Sequence, residues 1–238
     1  MSRHLGLLVL LVLLAPAGVA GPIGKPPRAA GAIRLVWVMS VPAGVQFTRS
    51  EVTVAQYEAC VKAGRCSRPM DRCDYGRPDR LDHPVACVTW GEATAFCAFA
   101  GGRLPTEDEW YAEASDGGKR TYAWGNDPVS CDYTVWAPED RDFMRPAHDG
   151  CGRGSTWPVC SKPLGNSVSG LCDMTGNVFE WTSSCRDGLF WSGCVIRGGN
   201  YLSPASSYLR TSRRLRRNKW YEHAGQGFRC VRDIPAKP

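Results

Sequence analysis

The chain has 238 residues, with 29 Lys and Arg against 23 Asp and Glu, which gives a formal net charge of +6. This mild positive charge is not that of a dedicated nucleic-acid-binding protein, and 43% hydrophobic with 22% charged residues excludes a disordered or collagen-like chain. The 26 Gly, 17 Pro and 9 Trp predict a turn-rich fold of short elements rather than a helical bundle.

The first 20 residues have the pattern of a secretory signal peptide. Arg3 and His4 precede an apolar run, Leu5 to Leu14, and small residues follow up to Ala20. Residues 21–33 are rich in Gly, Pro and Ala and predict a flexible lead-in. No later run approaches the roughly 20 apolar residues of a transmembrane helix, so we expect a secreted or periplasmic protein without a membrane span.

The first part of the domain alternates between short elements and turns. Arg34 to Ser40 predicts a strand, and Pro42-Ala43-Gly44 predicts a turn after it. Residues 51–62 predict a short helix. Residues 64–84 are rich in Arg, Asp, Pro and Cys and predict an irregular loop held by disulfides.

Two further helices follow. Gly91 to Gly101 is rich in Ala and ends in Gly-Gly, which is typical of a helix with a clear stop. Thr106 and Glu109 form the pattern of a capping box, which predicts a helix that begins there and runs to about Ala114.

The last part of the chain has weaker periodicity. Residues 115–170 predict long ordered loops with short strands. Gly170–Trp181 and Val195–Tyr201 predict ordered segments, and Gly227–Val231 predicts a closing strand.

Twelve cysteines lie between residues 60 and 230. An even number in an exported chain predicts disulfide bonds. Zinc is the alternative, but the closest spacings, Cys60 to Cys66 and Cys66 to Cys73, are wider than the Cys-x2-4-Cys pattern of zinc knuckles. There is also no Cys-x-x-Cys redox pair.

Four segments in a fixed order resemble the formylglycine-generating enzyme, or sulfatase-modifying factor, family. The segments are Val88-Thr89-Trp90 with Ala93–Cys97; Arg103–Trp110 with Trp124-Gly125-Asn126; Gly170–Trp181; and Arg197–Tyr201 with Gly227-Phe228-Arg229. The resemblance covers roughly residues 35–233. It implies one α+β domain over residues 34–238, with a compact, C-type-lectin-like fold and little regular secondary structure.

The resemblance does not fix the activity, because a fold hosts many functions. The family includes oxidases that convert a substrate cysteine to formylglycine, iron-dependent sulfoxide synthases, a pyoverdine-maturation protein and relatives that bind sugars or peptides.

The copper site of the oxidases is not expected in this chain. The resemblance implies two copper(I)-binding thiolates shortly after the Gly-Gly segment, because soft sulfur ligands suit that ion. Ser203 occupies the first thiol position, the second falls at about Tyr208, and no cysteine lies between Cys194 and Cys230. We therefore expect neither bound copper nor formylglycine formation.

An iron site is also poorly supported. Only three histidines follow the signal segment, His83, His148 and His223, and the additional helical domain of the iron enzymes is not seen in the sequence. A three-histidine site requires the fold to bring these residues together. The alternative for each is a surface or hydrogen-bonded histidine.

Calcium is the cofactor that the resemblance implies. Asp173, Gly176, Val178 and Glu180 match a calcium site of the family, with side-chain oxygens from the two acids and carbonyls from the other two. A turn capped by two solvated acids is the alternative. A further site would use Asp132, Tyr133 and Asp149.

The resemblance also implies one disulfide, between Cys97 and Cys230. Local bridges Cys60–Cys66 and Cys73–Cys87, and pairs among cysteines 131, 151, 160, 172, 185 and 194, are plausible, but the spacing does not choose among them.

The resemblance places a cleft near the segment that follows Gly-Gly. Its candidate residues are Asn200, Tyr201, Ser203, Tyr208 and Trp220. Ser203 lacks a nucleophile elbow, and His223 is the only nearby base in the sequence, so a loop serine is the favoured interpretation. Six basic residues from Arg210 to Lys219 would attract acidic ligands or have a structural role in the core.

Two classes of function remain open. The first is a binding domain, stabilised by calcium and disulfides, whose cleft holds a peptide, a glycan or a small molecule. The second is an oxidoreductase of the same family that uses another metal or another cysteine arrangement.

Overall fold

Short helices and strands separated by long loops make up the fold. The computed structural model describes residues 33–69, 73–137, 149–188 and 193–234, which all fall within one unit, Gly31–Pro238. The predicted signal segment, residues 21–32 of the lead-in, and His148 lie outside the described residues. Within the described ranges, no helix is long and apolar enough to cross a membrane.

Three helices follow capping threonines. They are α1, Val54–Lys62; α2, Trp90–Phe99; and α3, Glu107–Ala114. The side chains of Thr53, Thr89 and Thr106 each accept a hydrogen bond from the backbone three residues later, where a Gln or Glu side chain bonds back. This reciprocal arrangement satisfies two backbone donors at each helix start. The predicted capping box of Thr106 and Glu109 is confirmed.

Seven short strands form two sheets in the described part of the chain. They are β1, Trp37–Ser40; β2, Val45–Thr48; β3, Phe179–Arg186; β4, Gly193–Arg197; β5, Leu215–Arg217; β6, Gln226–Gly227; and β7, Val231–Arg232. The first sheet has the order β1-β2-β7 and is antiparallel. The second has the order β5-β4-β3-β6, in which only β6 runs parallel to its neighbour.

Two predicted strand regions differ from the structure. The single closing strand is wrong: β6 and β7 pair in different sheets, and Phe228, Arg229 and Cys230 cross between them. Short strands between residues 115 and 170 are also wrong for the described part of that region, which contains a helical turn, Asp149–Gly152, and a 3-10 turn, Pro163–Gly165. Backbone groups there bond within turns or singly to distant loops, as Gly150 N–H does to the Tyr201 carbonyl, instead of along a ladder.

Disulfides and aromatic rings join the elements around the main core. The ring of Phe96 on α2 stacks on Tyr57 of α1 at 5.7 Å and meets Phe228 edge-on at 5.5 Å. All twelve cysteines are paired, as Cys60–Cys66, Cys73–Cys87, Cys97–Cys230, Cys131–Cys151, Cys160–Cys172 and Cys185–Cys194. The bridge between Cys97 and Cys230 is the one that the resemblance implies, and it fastens α2 to the end of the chain.

Candidate functional site

A small cavity lies on the four-stranded sheet, and each strand of that sheet contributes to it. Phe179 comes from β3, Ile196 from β4, Leu215 and Arg217 from β5, and Gln226 from β6. The loops after β4 and β5 supply the rest, which are Asn200, Leu202, Ser203, Pro204, Tyr208, Tyr221 and His223. Its volume of about 180 Å³ is below the roughly 300–1,000 Å³ of sites for larger organic ligands, so it suits one side chain or a small molecule.

The loop after β4 turns sharply because of two glycines. Gly198 and Gly199 have φ of +99° and +76°, and a Cβ at Gly199 would lie 2.6 Å from the side chain of Leu209. Only glycine fits such a close approach with this backbone conformation. The turn directs the next residues, from Asn200 onward, into the wall of the cavity.

Asn200 and Ser203 bond to each other inside that wall. The Ser203 hydroxyl donates to Asn200 Oδ1 at 3.2 Å and accepts from the Asn200 backbone N–H at 3.0 Å. The Asn200 amide also donates to the Gly225 carbonyl at 3.2 Å. Because the serine hydrogen goes to an amide oxygen and not to a base, these contacts make Ser203 a turn residue and not an activated nucleophile.

Two tyrosines in the wall are each covered by an arginine. The guanidinium of Arg213 lies 4.9 Å from the centre of the Tyr208 ring, and that of Arg217 lies 5.0 Å from the Tyr221 ring. Both distances are within the range of cation–π attraction. The cavity therefore combines apolar surface with aromatic rings that each contact a guanidinium group.

The tautomer of His223 follows from its backbone contact. Its Nδ1 accepts a hydrogen bond from the Gly225 N–H at 3.0 Å, and its ring stacks against Tyr221 at 5.9 Å. In the neutral ring the proton must then sit on Nε2. His223 thus holds the loop before β6 in position beside the cavity.

The side-chain amide of Gln226, a residue of the cavity wall, is only partly satisfied by hydrogen bonds. Its Nε2 donates to the carbonyls of Phe179 and Gly227 at 3.1 and 3.3 Å, which fixes the orientation of the amide because both partners are acceptors. Its Oε1 is buried and has no hydrogen-bond partner in the described structure. Neither Gln226 nor Tyr221 carries a sequence signal that points to the cavity.

Three of the five residues predicted to form a cleft line this cavity, and two do not. Asn200, Ser203 and Tyr208 line the cavity. Tyr201 is buried outside its lining, where its backbone N–H donates to Asn177 O at 2.9 Å and its carbonyl accepts from Gly150 N–H at 2.8 Å. Trp220 is 81% exposed and is not among the residues that line this cavity.

Below the sheet, Arg229 and Glu180 form a buried ion pair. Arg229 Nε lies 2.7 Å from Glu180 Oε2 and its Nη2 lies 2.7 Å from Oε1, while the Trp110 indole N–H donates to Oε2 at 2.8 Å. The Arg229 guanidinium also donates to the Cys172 carbonyl at 2.7 Å. Three donors therefore engage the two oxygens of Glu180.

Two more acids are buried near this pair. Glu51 accepts from the Asn177 side chain at 2.7 Å and from the Val178 N–H at 3.1 Å, and Asp173 accepts from the Cys160 N–H at 2.6 Å. Burial raises the pKa of Asp173 to about 6. Burial, followed by the charges of Asp173 and Glu180, raises the pKa of Glu51 well above its usual range. One guanidinium thus faces three buried carboxyl groups.

The calcium ligands predicted from the sequence are only partly compatible with these contacts. Asp173 keeps one oxygen without a described donor, but Glu180 is already engaged by Arg229 and Trp110. Among the described residues, no group of three His, Cys, Asp or Glu side chains is arranged to hold a metal ion. Glu180 does not fit a calcium ion in this arrangement, and calcium at Asp173, Gly176 and Val178 stays a prediction.

The residues of the further predicted calcium site are not joined by a described contact. Asp132 is exposed and lies 3.5 Å from the Ser130 hydroxyl. The Tyr133 ring stacks on Trp124 at 5.1 Å. Asp149 begins the helical turn Asp149–Gly152, and its side chain is outside the described part.

His83 belongs to a separate polar cavity. Its Nδ1 lies 2.9 Å from the Thr156 hydroxyl, which donates to Asp74 at 3.2 Å, so Nδ1 carries the proton in this chain of bonds. Burial and the neighbouring Arg80 charge lower the pKa of His83. His83 and His223 line different cavities, and the structure does not bring these two together as ligands of one metal.

The sequence matches known proteins over most of the described region. Residues 39–234 match the sequence profile of the sulfatase-modifying factor enzyme 1-like domain. The chain is 31% identical over 176 residues to the inactive C-alpha-formylglycine-generating enzyme 2 of Bos taurus, covering 68% of this chain and 57% of that protein. It is 34% identical over 181 residues to the formylglycine-generating enzyme of Streptomyces coelicolor, covering 66% and 54%. The chain thus spans little more than half the length of these relatives.

Solved structures share the fold. CarF superposes with a TM-score of 0.64 at 22% identity, covering 80% of this chain and 86% of that chain. PvdO from Pseudomonas aeruginosa superposes with a TM-score of 0.62 at 23% identity, covering 80% of each chain. The predicted α+β fold with little regular secondary structure is confirmed by these similarities.

Proposed function

The chain belongs to the sulfatase-modifying factor enzyme 1-like family, and we propose that it is an exported member that binds a ligand and does not generate formylglycine. The ligand is a peptide, a glycan or a small molecule, held in the cavity on the four-stranded sheet. The observation that carries the proposal is the absence of cysteine between Cys194 and Cys230, where the resemblance places the copper-binding thiolates.

The disulfides support this proposal from a second direction. All twelve cysteines are paired with one another, so none is left as a thiolate for copper(I). Ser203 and Tyr208, at or near the expected thiol positions, line the cavity and carry hydroxyls in place of thiols. A neutral hydroxyl is a hard and weak ligand for copper(I), but it is a suitable hydrogen-bonding group for an organic ligand.

The lining of the cavity supports binding of an organic group. Phe179, Ile196 and Leu215 offer apolar surface, and Tyr208 and Tyr221 add aromatic edges with polar ends. Binding sites for organic molecules combine such apolar walls with a few polar groups that fix orientation. The relative from Bos taurus that bears the name inactive indicates that this family also contains members without the namesake activity.

Export and calcium belong to the same proposal. The signal pattern of residues 1–20 and the six disulfides support a secreted or periplasmic location, because disulfides persist in oxidising compartments. A structural calcium ion would use the Asp173 carboxylate and the carbonyls of Gly176 and Val178, which are hard oxygen ligands.

The test of the proposal is a mass measurement. Purified protein is incubated with copper, oxygen and a sulfatase-type peptide that contains the substrate cysteine, and the Streptomyces coelicolor enzyme serves as the positive control. We expect the peptide to keep its thiol mass with this protein and to lose it with the control. Catalytic conversion of the peptide by this protein would contradict the proposal.

An oxidoreductase is the second candidate function, because the chain is 34% identical to a formylglycine-generating enzyme over 66% of its length. Such an enzyme would act with another metal on a peptide or a secondary metabolite. Metal analysis of the purified protein separates the two candidates. Stoichiometric iron or copper supports the oxidoreductase, whereas calcium alone or no metal supports the binding domain.

A further inference from the structure

The charges that line the cavity are of one sign. Arg217 contributes a guanidinium, and the described lining contains no Asp or Glu. The apolar part of the lining, which includes Phe179, Ile196 and Leu215, lowers the local dielectric and therefore strengthens any charge pairing at this position. A cavity of this composition favours a ligand that joins an apolar body to one negative charge.

Arg217 differs in its partners from three cations of this region. Arg214 and Arg197 reach Glu107 at 2.8 and 3.4 Å, and Lys219 reaches Asp187 at 3.1 Å. Arg217 has no carboxylate partner within the described ranges. Its Nη1 donates to the Arg216 carbonyl at 3.1 Å, and its guanidinium covers the Tyr221 ring. Most of its five N–H donors therefore remain available.

The aromatic contact also orients Arg217. The cation–π contact with the Tyr221 ring, at 5.0 Å, restrains the Arg217 side chain, which reduces the side-chain freedom that would be lost when a ligand binds. The edge of a planar guanidinium matches the two oxygens of a carboxylate in a bidentate pair. One guanidinium also balances the single charge of a carboxylate, whereas a phosphate dianion would leave one charge uncompensated.

We infer that the cavity binds the carboxylate of a ligand through Arg217, with the apolar part of the ligand against Phe179, Ile196 and Leu215. This inference rests on the proposed ligand-binding function and adds the chemical class of the ligand to it. The carboxylate can come from the free end of a peptide or from an acidic side chain, and the experiment distinguishes these sources.

Strand β5 offers a matched control for the experiment. Leu215 and Arg217 line the cavity, and Arg216 between them does not. Successive side chains of a strand point to opposite faces, so Arg216 carries the same charge on the other side of the sheet. The variants Arg217→Gln and Arg216→Gln therefore change the net charge equally, and only the first changes the cavity.

The experiment titrates two pairs of probes into the protein and follows binding by calorimetry and by NMR shifts of cavity residues. N-acetyl-phenylalanine is compared with its amide, which tests a terminal carboxylate. N-acetyl-glutamate amide is compared with N-acetyl-glutamine amide, which tests a side-chain carboxylate. We expect at least one acid to bind about tenfold more tightly than its neutral partner, the range of a charge-assisted hydrogen bond. Arg217→Gln should abolish this preference, and Arg216→Gln should keep it.

The possible results separate the inference from the function on which it rests. If each acid and its neutral partner bind equally, or if Arg217→Gln keeps the preference, the cavity binds ligands but the carboxylate inference is overturned. If none of the four probes binds or shifts cavity resonances, the proposed ligand-binding cavity is itself overturned. Melting temperatures of both variants, measured in parallel, verify that each is folded.

Discussion

Arg229 and Glu180 meet in the core as a bidentate pair, with both N–O distances at 2.7 Å and side chains that are 0% and 1% exposed. Arg229 comes from the segment between β6 and β7, and Glu180 comes from β3. The same guanidinium donates to the carbonyls of Thr48 and Cys172. This one contact therefore links the end of the chain with both sheets and with the loop before β3.

Removal of the charge of Glu180 should destabilise the protein strongly. In Glu180→Gln the buried guanidinium of Arg229 loses its counter-charge, and breaking such a buried pair costs about 3–5 kcal/mol. Urea unfolding measures the change. The control is Glu58→Gln, whose partner Lys62 has a 78% exposed side chain and whose loss should cost no more than about 0.5 kcal/mol. Equal effects of the two variants would contradict this role of Glu180.

Calcium should raise the melting temperature through Asp173. An ion that binds only the folded state stabilises it by about 2.7 kcal/mol at 100-fold excess over its dissociation constant. Chelation should therefore lower the melting temperature, and Asp173→Asn should remove this dependence. Glu180→Gln should keep the dependence, because Arg229 and Trp110 already engage that carboxylate. Identical melting curves with calcium and with chelator would show that no stabilising ion binds.

The long disulfide should contribute more stability than a short one. Cys97 and Cys230 are 133 residues apart, whereas Cys60 and Cys66 are 6 apart. In the chain-entropy model, loss of the first bridge costs about 5 kcal/mol and loss of the second about 2 kcal/mol. Denaturant unfolding of the double alanine variants at each pair measures the difference. Thiol titration of the denatured, unreduced protein should find no free thiol, and several reactive thiols would contradict the pairing.

Acidic pH should destabilise the protein through His83. The folded state lowers the pKa of this imidazole below 6.5, chiefly by burial. As the pH falls below that value, the unfolded chain takes up a proton that the folded chain resists, so the free energy of unfolding decreases. His83→Asn keeps a donor toward Thr156 and removes the titration. Its unfolding free energy should fall less than that of the wild type between about pH 7 and pH 5, the range in which histidine titrates. A parallel decline in both proteins would exclude His83 as the cause.

The sequence predicts local features of this fold better than its long-range contacts. The capping pattern at Thr106 and the Gly-Gly stop after α2 depend on neighbouring residues, and the structure has helices at both places. The sequence predicts a helix from Glu51, but α1 begins at Val54, after the capping residue Thr53, and Glu51 is buried and bonds Asn177 and Val178. A contact between residues more than 120 positions apart cannot be predicted from the hydrophobic periodicity of the sequence.

In the candidate site, too, residues of one local segment are easier to predict than residues from distant segments. Asn200, Ser203 and Tyr208, which the resemblance assigns to a cleft, line one cavity of the structure, and they lie in one loop next to a conspicuous Gly-Gly segment. Tyr221 and Gln226 reach the cavity from later segments, and Trp220 turns into solvent although it is adjacent to Tyr221. The path of the irregular loop decides which of these two neighbouring aromatic side chains faces the cavity. Such a loop has no regular spacing of hydrophobic residues from which this orientation could be predicted.

The connectivity of the disulfides imposes an order on oxidative folding during synthesis. Five of the six bridges join a cysteine to the next cysteine in the chain, and only Cys97 skips its neighbours to reach Cys230. At synthesis rates of about 5–20 residues per second, Cys97 waits on the order of 10 s for its partner. During that time six other cysteines emerge and can capture its thiol. Correct maturation therefore requires that the intervening pairs close quickly among themselves, or that a disulfide isomerase releases Cys97 from wrong partners.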